Sequence, residues 1–263
     1  MKDNLASQLD PPDEGLPAKL AALAQRVIGT DMELSPESQS QILIYLSTLS
    51  NYNQKVNLVG NCDPHHLIER HTLDGLTLVS RIRKHTSAAK STSSRLRYLD
   101  IGTGGGFPGM IVALACPELA VTLLDATAKK CHFLEMIAAE LKQSERIEVI
   151  NGRAEELARD DKFRERYRFV TARAVGTLKV TIELAVPFLK PGGLFLAQKT
   201  SSRIEAEMAE SKDLLNNIGA EIGKIESLAE YEELKEALIV PVKKLHVTPN
   251  KYPREWKQIV PTK

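Results

Sequence analysis

The short apolar run Leu96–Ile101 leads directly into Gly102-Thr103-Gly104-Gly105-Gly106-Phe107-Pro108-Gly109, and helical spacing resumes from about Pro108. Few architectures accept so many glycines between a strand and a helix. Glycine permits a tight turn and lets another group approach the backbone. In a parallel α/β sheet such a loop lies at the carboxyl ends of the strands, where ligands bind.

The rest of the chain agrees with such a sheet. Strand-like runs at 121–124, 147–150, 169–172 and 194–198 alternate with helical patterns near 133–141, 154–159, 178–189 and 204–218. Strands alternating with helices predict a mostly parallel, doubly wound sheet covered on both faces. Two further runs, 220–228 and 237–247, have no helix between them and are expected to form an antiparallel edge pair. Ahead of the sheet, Leu20, Leu23, Ala24, Val27 and Ile28 share one helical face, and Ser35-Pro36-Glu37 and Asp63-Pro64 read as helix starts. The expected organisation is a disordered lead (1–16), an N-terminal helical region (17–84), a linker (85–95), an α/β domain (96–247) and a basic C-terminal tail (248–263).

Composition narrows the function classes. The formal charge is +1, so nucleic-acid binding has to come from local clusters. Arg81, Arg83, Lys84, Lys90, Arg95 and Arg97 follow one another with no acidic residue between them. After Val240 come Lys243, Lys244, Lys251, Arg254, Lys257 and Lys263 against Glu255 alone, with Tyr252 and Trp256 interleaved. Phosphate attraction and base stacking are both available there; a solvated linker and a frayed tail are the alternative. The cysteines, Cys62, Cys116 and Cys131, are sparse and unpaired in spacing, so no disulfide framework and no metal site are expected. His65, His66, Glu69 and His71 could approach a metal at helical spacing, but no further ligand pattern supports one. With no signal peptide and no membrane-spanning run, a soluble, cytoplasmic protein is expected, as a monomer.

Two ligands compete for the glycine loop. A dinucleotide requires a third glycine where this chain has Phe107. Asp100, just before the loop, would repel a pyrophosphate but suits the cationic methionine end of S-adenosylmethionine. Asp125, ending the next strand, can bond ribose hydroxyls of either ligand. The turn Lys190-Pro191-Gly192-Gly193 resembles the one that recurs before the fifth strand of class I methyltransferases.

The segments Asn53-Gln54-Lys55-Val56-Asn57-Leu58, Arg70-His71-Thr72-Leu73-Asp74, Gly152-Arg153-Ala154-Glu155, Thr171-Ala172-Arg173-Ala174 and Thr248-Pro249-Asn250-Lys251-Tyr252-Pro253-Arg254 occur in this order around the loop. With them the chain is similar to the bacterial glucose-inhibited division protein B family. Members of that family methylate N7 of a guanine in 16S (small-subunit) ribosomal RNA. The resemblance implies a Rossmann-like class I methyltransferase fold with an N-terminal helical extension, S-adenosylmethionine as cofactor, and ribosomal RNA or a small-subunit particle as partner. It implies cofactor positions at Gly102, Phe107, Asp125, Ala126, Thr127, Ala154, Glu155 and Arg173, and RNA positions at Asn57, Arg70, His71, Lys251 and Arg254. Gly75 stands where the family often has serine, so a hydroxyl contact is expected to be missing.

Guanine N7 already carries a lone pair, so positioning matters more than a general base, and no catalytic acid or base is assigned. Arg173 is a candidate for substrate positioning, since its cationic fork suits a phosphate or a guanine edge; an ion pair with a sheet-edge carboxylate is the alternative. Arg70 is expected to pair with Asp74 and His71 to pack against the glycine loop; a plain structural helix is the alternative. Cys116-Pro117 reads as packing. Competing functions are a class I methyltransferase acting on another RNA, a small molecule or a protein; a non-catalytic cofactor-binding regulatory module; and a nicotinamide-dependent oxidoreductase.

Overall fold

The computed structural model describes residues 15–29, 33–86 and 95–260. Most of the expected lead and linker, with Lys90, and the final Lys263 lie outside the described residues.

The helical region contains α1 (Gly15–Ile28), α2 (Pro36–Asn53), and a long helix in three parts: α3 (Pro64–His66), a π turn (Leu67–Thr72) and α4 (Leu73–Thr86). The predicted caps are made. The Ser35 hydroxyl accepts from the Ser38 N–H at 3.1 Å, and the Asp63 carboxylate accepts from the His66 N–H at 2.9 Å. No sequence signal announced the π turn, a feature often found at functional sites.

The sheet is built from β1 (Leu96–Ile101), β2 (Leu119–Asp125), β3 (Ile147–Asn151), β4 (Tyr167–Arg173), β5 (Leu189–Thr200), β6 (Ala220–Ile222), β7 (Glu226–Ser227) and β8 (Ala237–Lys244). Its helices are α5 (Gly109–Ala115), α6 (Ala128–Glu140), α7 (Ala154–Leu157), α8 (Leu178–Ala185) and α9 (Ile204–Ile218), with α10 (Trp256–Ile259) following the last strand. Strand order is β3-β2-β1-β4-β5-β8-β6, with β7 also on β8. β1 to β5 run parallel, and β8 is antiparallel to β5, β6 and β7. The expected antiparallel pair exists, but β8 lies inside the sheet, where Ile239, Val240 and Val242 are fully buried. The order reverses between β1 and β4, so a crevice opens beside the glycine loop.

Two apolar layers flank the sheet. One joins Leu20, Ile42, Leu49, Leu76 and Val79 of the helical region to Met110, Ile111, Phe133 and Leu134 of α5 and α6. The helical region thus covers one sheet face through a shared core. Gly75 is the close-contact point: a Cβ there would lie 2.7 Å from Ile111 Cβ. Where a serine hydroxyl was expected to be missed, there is no room for any side chain. The second layer gathers Leu178, Ile182, Phe188, Leu214 and Leu215 with Tyr252 and Ile259 of the C-terminal segment. Among the described residues no helix is long and apolar enough to cross a membrane.

The basic clusters are largely absorbed by the fold. Arg81 binds Glu226, Arg83 donates to the Ala115 carbonyl, and Arg97 lies over the Tyr167 ring. Lys244 is fully buried and bonds Glu165 at 2.6 Å. The expected tail is docked through Ile259: Arg164 donates to the carbonyls of Thr248 and Tyr252, and Arg159 donates twice to that of Pro253.

Candidate active site

Two cavities open at the carboxyl ends of the strands. The first, about 270 Å³, is lined by Ile101, Gly102, Leu124, Asp125, Ala154 and Glu155 among others. Gly102 is left-handed, with φ +67°, and a Cβ there would meet Val175 Cγ2 at 2.7 Å. The Asp125 carboxylate accepts from the Gly104 N–H at 2.9 Å and the Thr127 N–H at 2.8 Å, so it ties the glycine loop to the start of α6. Glu155 is buried at the start of α7, held by Arg153 Nε at 2.9 Å. Ala126 also lines this cleft.

The second cavity, about 420 Å³, is lined by Arg70, His71, Asp74, Arg173, Gln198 and Lys199 among others. Arg173, at the end of β4, donates to Asp74 Oδ2 at 2.8 Å and to His71 Nδ1 at 3.1 Å. Gln198 on β5 donates to the other Asp74 oxygen. His71 stacks on Phe107, with centroids 4.9 Å apart. Burial, and then the nearby Arg173 charge, push the His71 imidazole down to about 3, so it stays neutral near pH 7. Its Nδ1 accepts from Arg173, which places the ring proton on Nε2. Burial raises the Asp74 carboxyl, against the opposing pull of Arg173. Ala174, next along the chain, is left-handed with φ 57°, a costly conformation for a non-glycine residue. Val175 then returns the chain to Gly102 in the first cavity.

Several expected positions are placed differently. Asp100 does not face the cleft. It is fully buried, accepting from the Gly109 N–H at 3.0 Å and the Thr171 hydroxyl at 2.7 Å, and burial pushes its carboxyl up to about 6. Asp74 pairs with Arg173 rather than with Arg70, which donates to the Glu233 carbonyl. Arg254, expected on the RNA surface, is consumed by the fully buried Glu183, whose second oxygen it meets at 2.6 Å. A buried carboxylate needs that cation more than solvent does. The Phe107 ring is buried against Tyr45 and His71 and is not among the residues that line Asp125's cleft. Thr127 opens α6 through its backbone, its N–H donating to Asp125 and its carbonyl accepting from Cys131, with no side-chain cap. Asn57 and Lys251 are exposed, and the Lys251 ammonium lies over the Tyr252 ring.

The first cleft fits S-adenosylmethionine better than a dinucleotide. The first free N–H of α5, where a pyrophosphate would dock, is already taken by the buried Asp100 carboxylate. The cleft offers a carboxylate, Asp125, for ribose hydroxyls, a side-chain-free approach at Gly102, and apolar walls for a purine. The family model of rRNA small subunit methyltransferase G (GidB) matches residues 38–234. Curated relatives of that name include one from Desulfitobacterium hafniense, 39% identical over 86% of this chain and 89% of its own. Another, from Streptococcus pneumoniae, is 35% identical over 86% and 91%. This chain belongs to the rRNA small subunit methyltransferase G family. The fold agrees: a solved O-methyltransferase from Bacillus cereus superposes with a TM-score of 0.52 at 16% identity, covering 87% of this chain and all of its own.

Some residues that build this family member's site were missed in the sequence. The Tyr45 hydroxyl, from α2, donates to the Gly105 carbonyl at 2.9 Å. Asn53 accepts from the Leu58 and Val59 N–H groups at 2.7 and 2.9 Å, seating that loop against Gly105. Gln198 has no local motif, and the sequence places Trp256 in a basic tail. The available signal is the order of the motifs in the helical region, which carry Asn53 at the end of α2 and Asp74 at the start of α4.

Proposed function

We propose that this protein transfers a methyl group from S-adenosylmethionine to N7 of a guanine in small-subunit ribosomal RNA, as naked RNA or within a ribosomal particle, acting as a cytoplasmic monomer. The observation that carries the reading is the junction of the two cavities. The chain from Arg173 through Val175 separates a cleft built for a nucleoside from a polar cavity lined by a neutral imidazole and a mutually neutralised ion pair.

That polar cavity suits N7 chemistry. When bound, S-adenosylmethionine supplies an electrophilic methyl carbon on a sulfonium. The guanine N7 lone pair forms the new N–C bond as the C–S bond breaks, and no proton leaves the base. The protein therefore needs orientation and exclusion of water more than a base. His71, near 3, is a weak base and serves as a flat, neutral wall stacked on Phe107. Asp74, itself held by Gln198, and His71 both take Nη1 of Arg173, and the rest of its fork remains to face the guanine O6, leaving the N7 lone pair free. Asp125 and Glu155 orient the cofactor.

The test is methyl transfer from labelled cofactor onto undermethylated 16S RNA and onto small-subunit particles, followed by mapping of the modified base. Label on a guanine N7 is expected. Label on any other atom, or none on either substrate, would overturn the reading. Asp125→Ala is expected to weaken binding of the demethylated cofactor by the worth of one charge-assisted hydrogen bond, about 1.5–3 kcal/mol. An unchanged Kd in a folded variant would remove Asp125 from the site.

A further inference from the structure

One wall of the cofactor cleft does not come from the sheet. Trp256, the first residue of α10, lines the same cavity as Asp125, Ala154 and Glu155, although it follows the last strand by twelve residues. The residue is 38% exposed, unusual for the largest apolar side chain in a folded segment. The Arg153 guanidinium lies over the ring, 4.5 Å from its centroid, and the same guanidinium holds Glu155. Indole, guanidinium and carboxylate are thus linked in series along the cleft.

The indole is also held in place. Arg254, two residues earlier, bonds Glu183 with its backbone N–H at 2.9 Å and its side chain at 2.8 and 2.6 Å. Arg159 grips the Pro253 carbonyl. Glu255 and Gln258 form a reciprocal capping box that sets the start of α10. A side chain fixed this firmly while partly exposed in an apolar cleft is placed to cover a flat ring, and aromatic stacking on a base supplies such a contact.

We propose that Trp256, with Arg153 stacked on it, forms the outer wall of the cofactor cleft and binds the adenine ring. The proposal rests on the methyltransferase reading and assigns the C-terminal segment to cofactor binding. Trp256 is the chain's single tryptophan, so its fluorescence reports on this wall alone. With the full-length protein, S-adenosylhomocysteine is titrated by calorimetry and by tryptophan fluorescence. The two curves are expected to give the same Kd. Trp256→Ala is expected to weaken binding about 5- to 150-fold, the range for loss of one base–aromatic stack. Adenosine alone should lose the same factor, and Trp256→Phe should recover most of it. The wild-type fluorescence titration keeps the test valid if the alanine variant does not fold.

Calorimetric binding with unchanged fluorescence and an unchanged Kd in Trp256→Ala overturns this proposal and leaves the methyltransferase reading standing. Weakened S-adenosylhomocysteine with unaffected adenosine also overturns it, because the wall would then not touch adenine. No binding to the wild type overturns both.

Discussion

The two cavities on either side of Arg173 are built in different ways. Most of the cofactor cleft comes from the turns that follow β1, β2 and β3, each carrying its own short motif: the glycine loop, Leu124-Asp125, and Arg153-Ala154-Glu155. The second cavity has no such local origin. Arg173 meets Asp74 across 99 positions and His71 across 102, and Gln198 meets Asp74 across 124. One cavity is a set of adjacent turns on a sheet; the other exists only after the helical layer has docked on that sheet. Damage to the docked C-terminal segment should therefore fall on the first cavity, and damage to the helix–strand ion pair on the second.

The largest effect is expected from deleting residues 248 onward. The sequence alone suggests a detachable basic tail, whose loss would weaken RNA binding and flatten its salt dependence while leaving cofactor affinity nearly unchanged. The structure implies a structural loss. Glu183 would remain buried without its cation, which typically costs about 3–5 kcal/mol, and Arg159 and Arg164 would lose their carbonyl partners. Melting temperature and cofactor affinity should fall together. A truncated protein that melts like the wild type and keeps its cofactor Kd would show that the segment is not part of the cleft.

Next in size is Arg173→Ala, which leaves Asp74 buried and unpaired at a cost of about 3 kcal/mol. The cost has a pH signature. Burial already raises the Asp74 carboxyl, and Arg173 is what pulls it back. Without Arg173 the folded-state value rises further. The penalty is then complete above that raised value and shrinks as pH falls through it toward the ordinary carboxylate range. Urea unfolding at pH 8 and pH 5 should show the deficit of the variant narrowing at the lower pH. Methyl transfer should drop on the order of 100-fold from lost positioning, while cofactor Kd changes little. A large rise in cofactor Kd would place Arg173 in the first cavity, as the family resemblance suggests, and would break the division between the two cavities.

The same contrast explains what the sequence made legible. The strand–helix alternation and the glycine loop carry local signals, so the parallel sheet, its order of elements and Asp125's position at the end of β2 could be read directly. Charge bookkeeping was less informative, because composition does not say which cations face carboxylates. Arg254 and Lys244 belong to a basic cluster in the sequence, but in the fold they face Glu183 and Glu165. Asp100 is ambiguous in the sequence, because a carboxylate before the loop can either face the cofactor or turn inward to the Gly109 N–H. Spacing does not distinguish the two. Tyr45 and Gln198 had no motif, since their roles depend on how α2 and β5 pack around the loop and α4.

Asp100 offers a third measurement, on the cofactor side. Its carboxyl is raised from 3.8 to about 6 by burial. The folded state thus favours the neutral acid. That stabilisation is complete below about pH 4 and is lost as pH rises through 6, roughly 3 kcal/mol across the window at about 1.4 kcal/mol per pH unit. Asp100→Asn can still accept from the Gly109 N–H and donate to the Thr171 hydroxyl, so it should fold while losing this slope. Equal pH dependence in the two proteins between pH 4 and 6 would show that Asp100 does not titrate there.

The smallest effects belong to the exposed positions at the rims, and they test whether RNA is held on both sides of the junction. Lys251 stands in the C-terminal segment with its ammonium over the Tyr252 ring, and Asn57 is exposed in the loop after α2. Neither side chain is buried, so alanine at either position should change stability by less than about 0.5 kcal/mol. Their RNA signatures should differ. If Lys251 contacts a phosphate, its loss releases one fewer counterion, and the log–log salt slope becomes shallower by about 0.7–0.9. Asn57 is uncharged, so Asn57→Ala should weaken RNA binding with the slope intact. Filter binding of both variants to 16S RNA over a range of salt separates these outcomes. A wild-type slope and affinity for Lys251→Ala would remove the C-terminal segment from the RNA surface and leave it wholly to the cofactor cleft. A wild-type affinity for Asn57→Ala would do the same for the loop that seats Gly105, leaving the helical layer to hold the acceptor base through the second cavity alone.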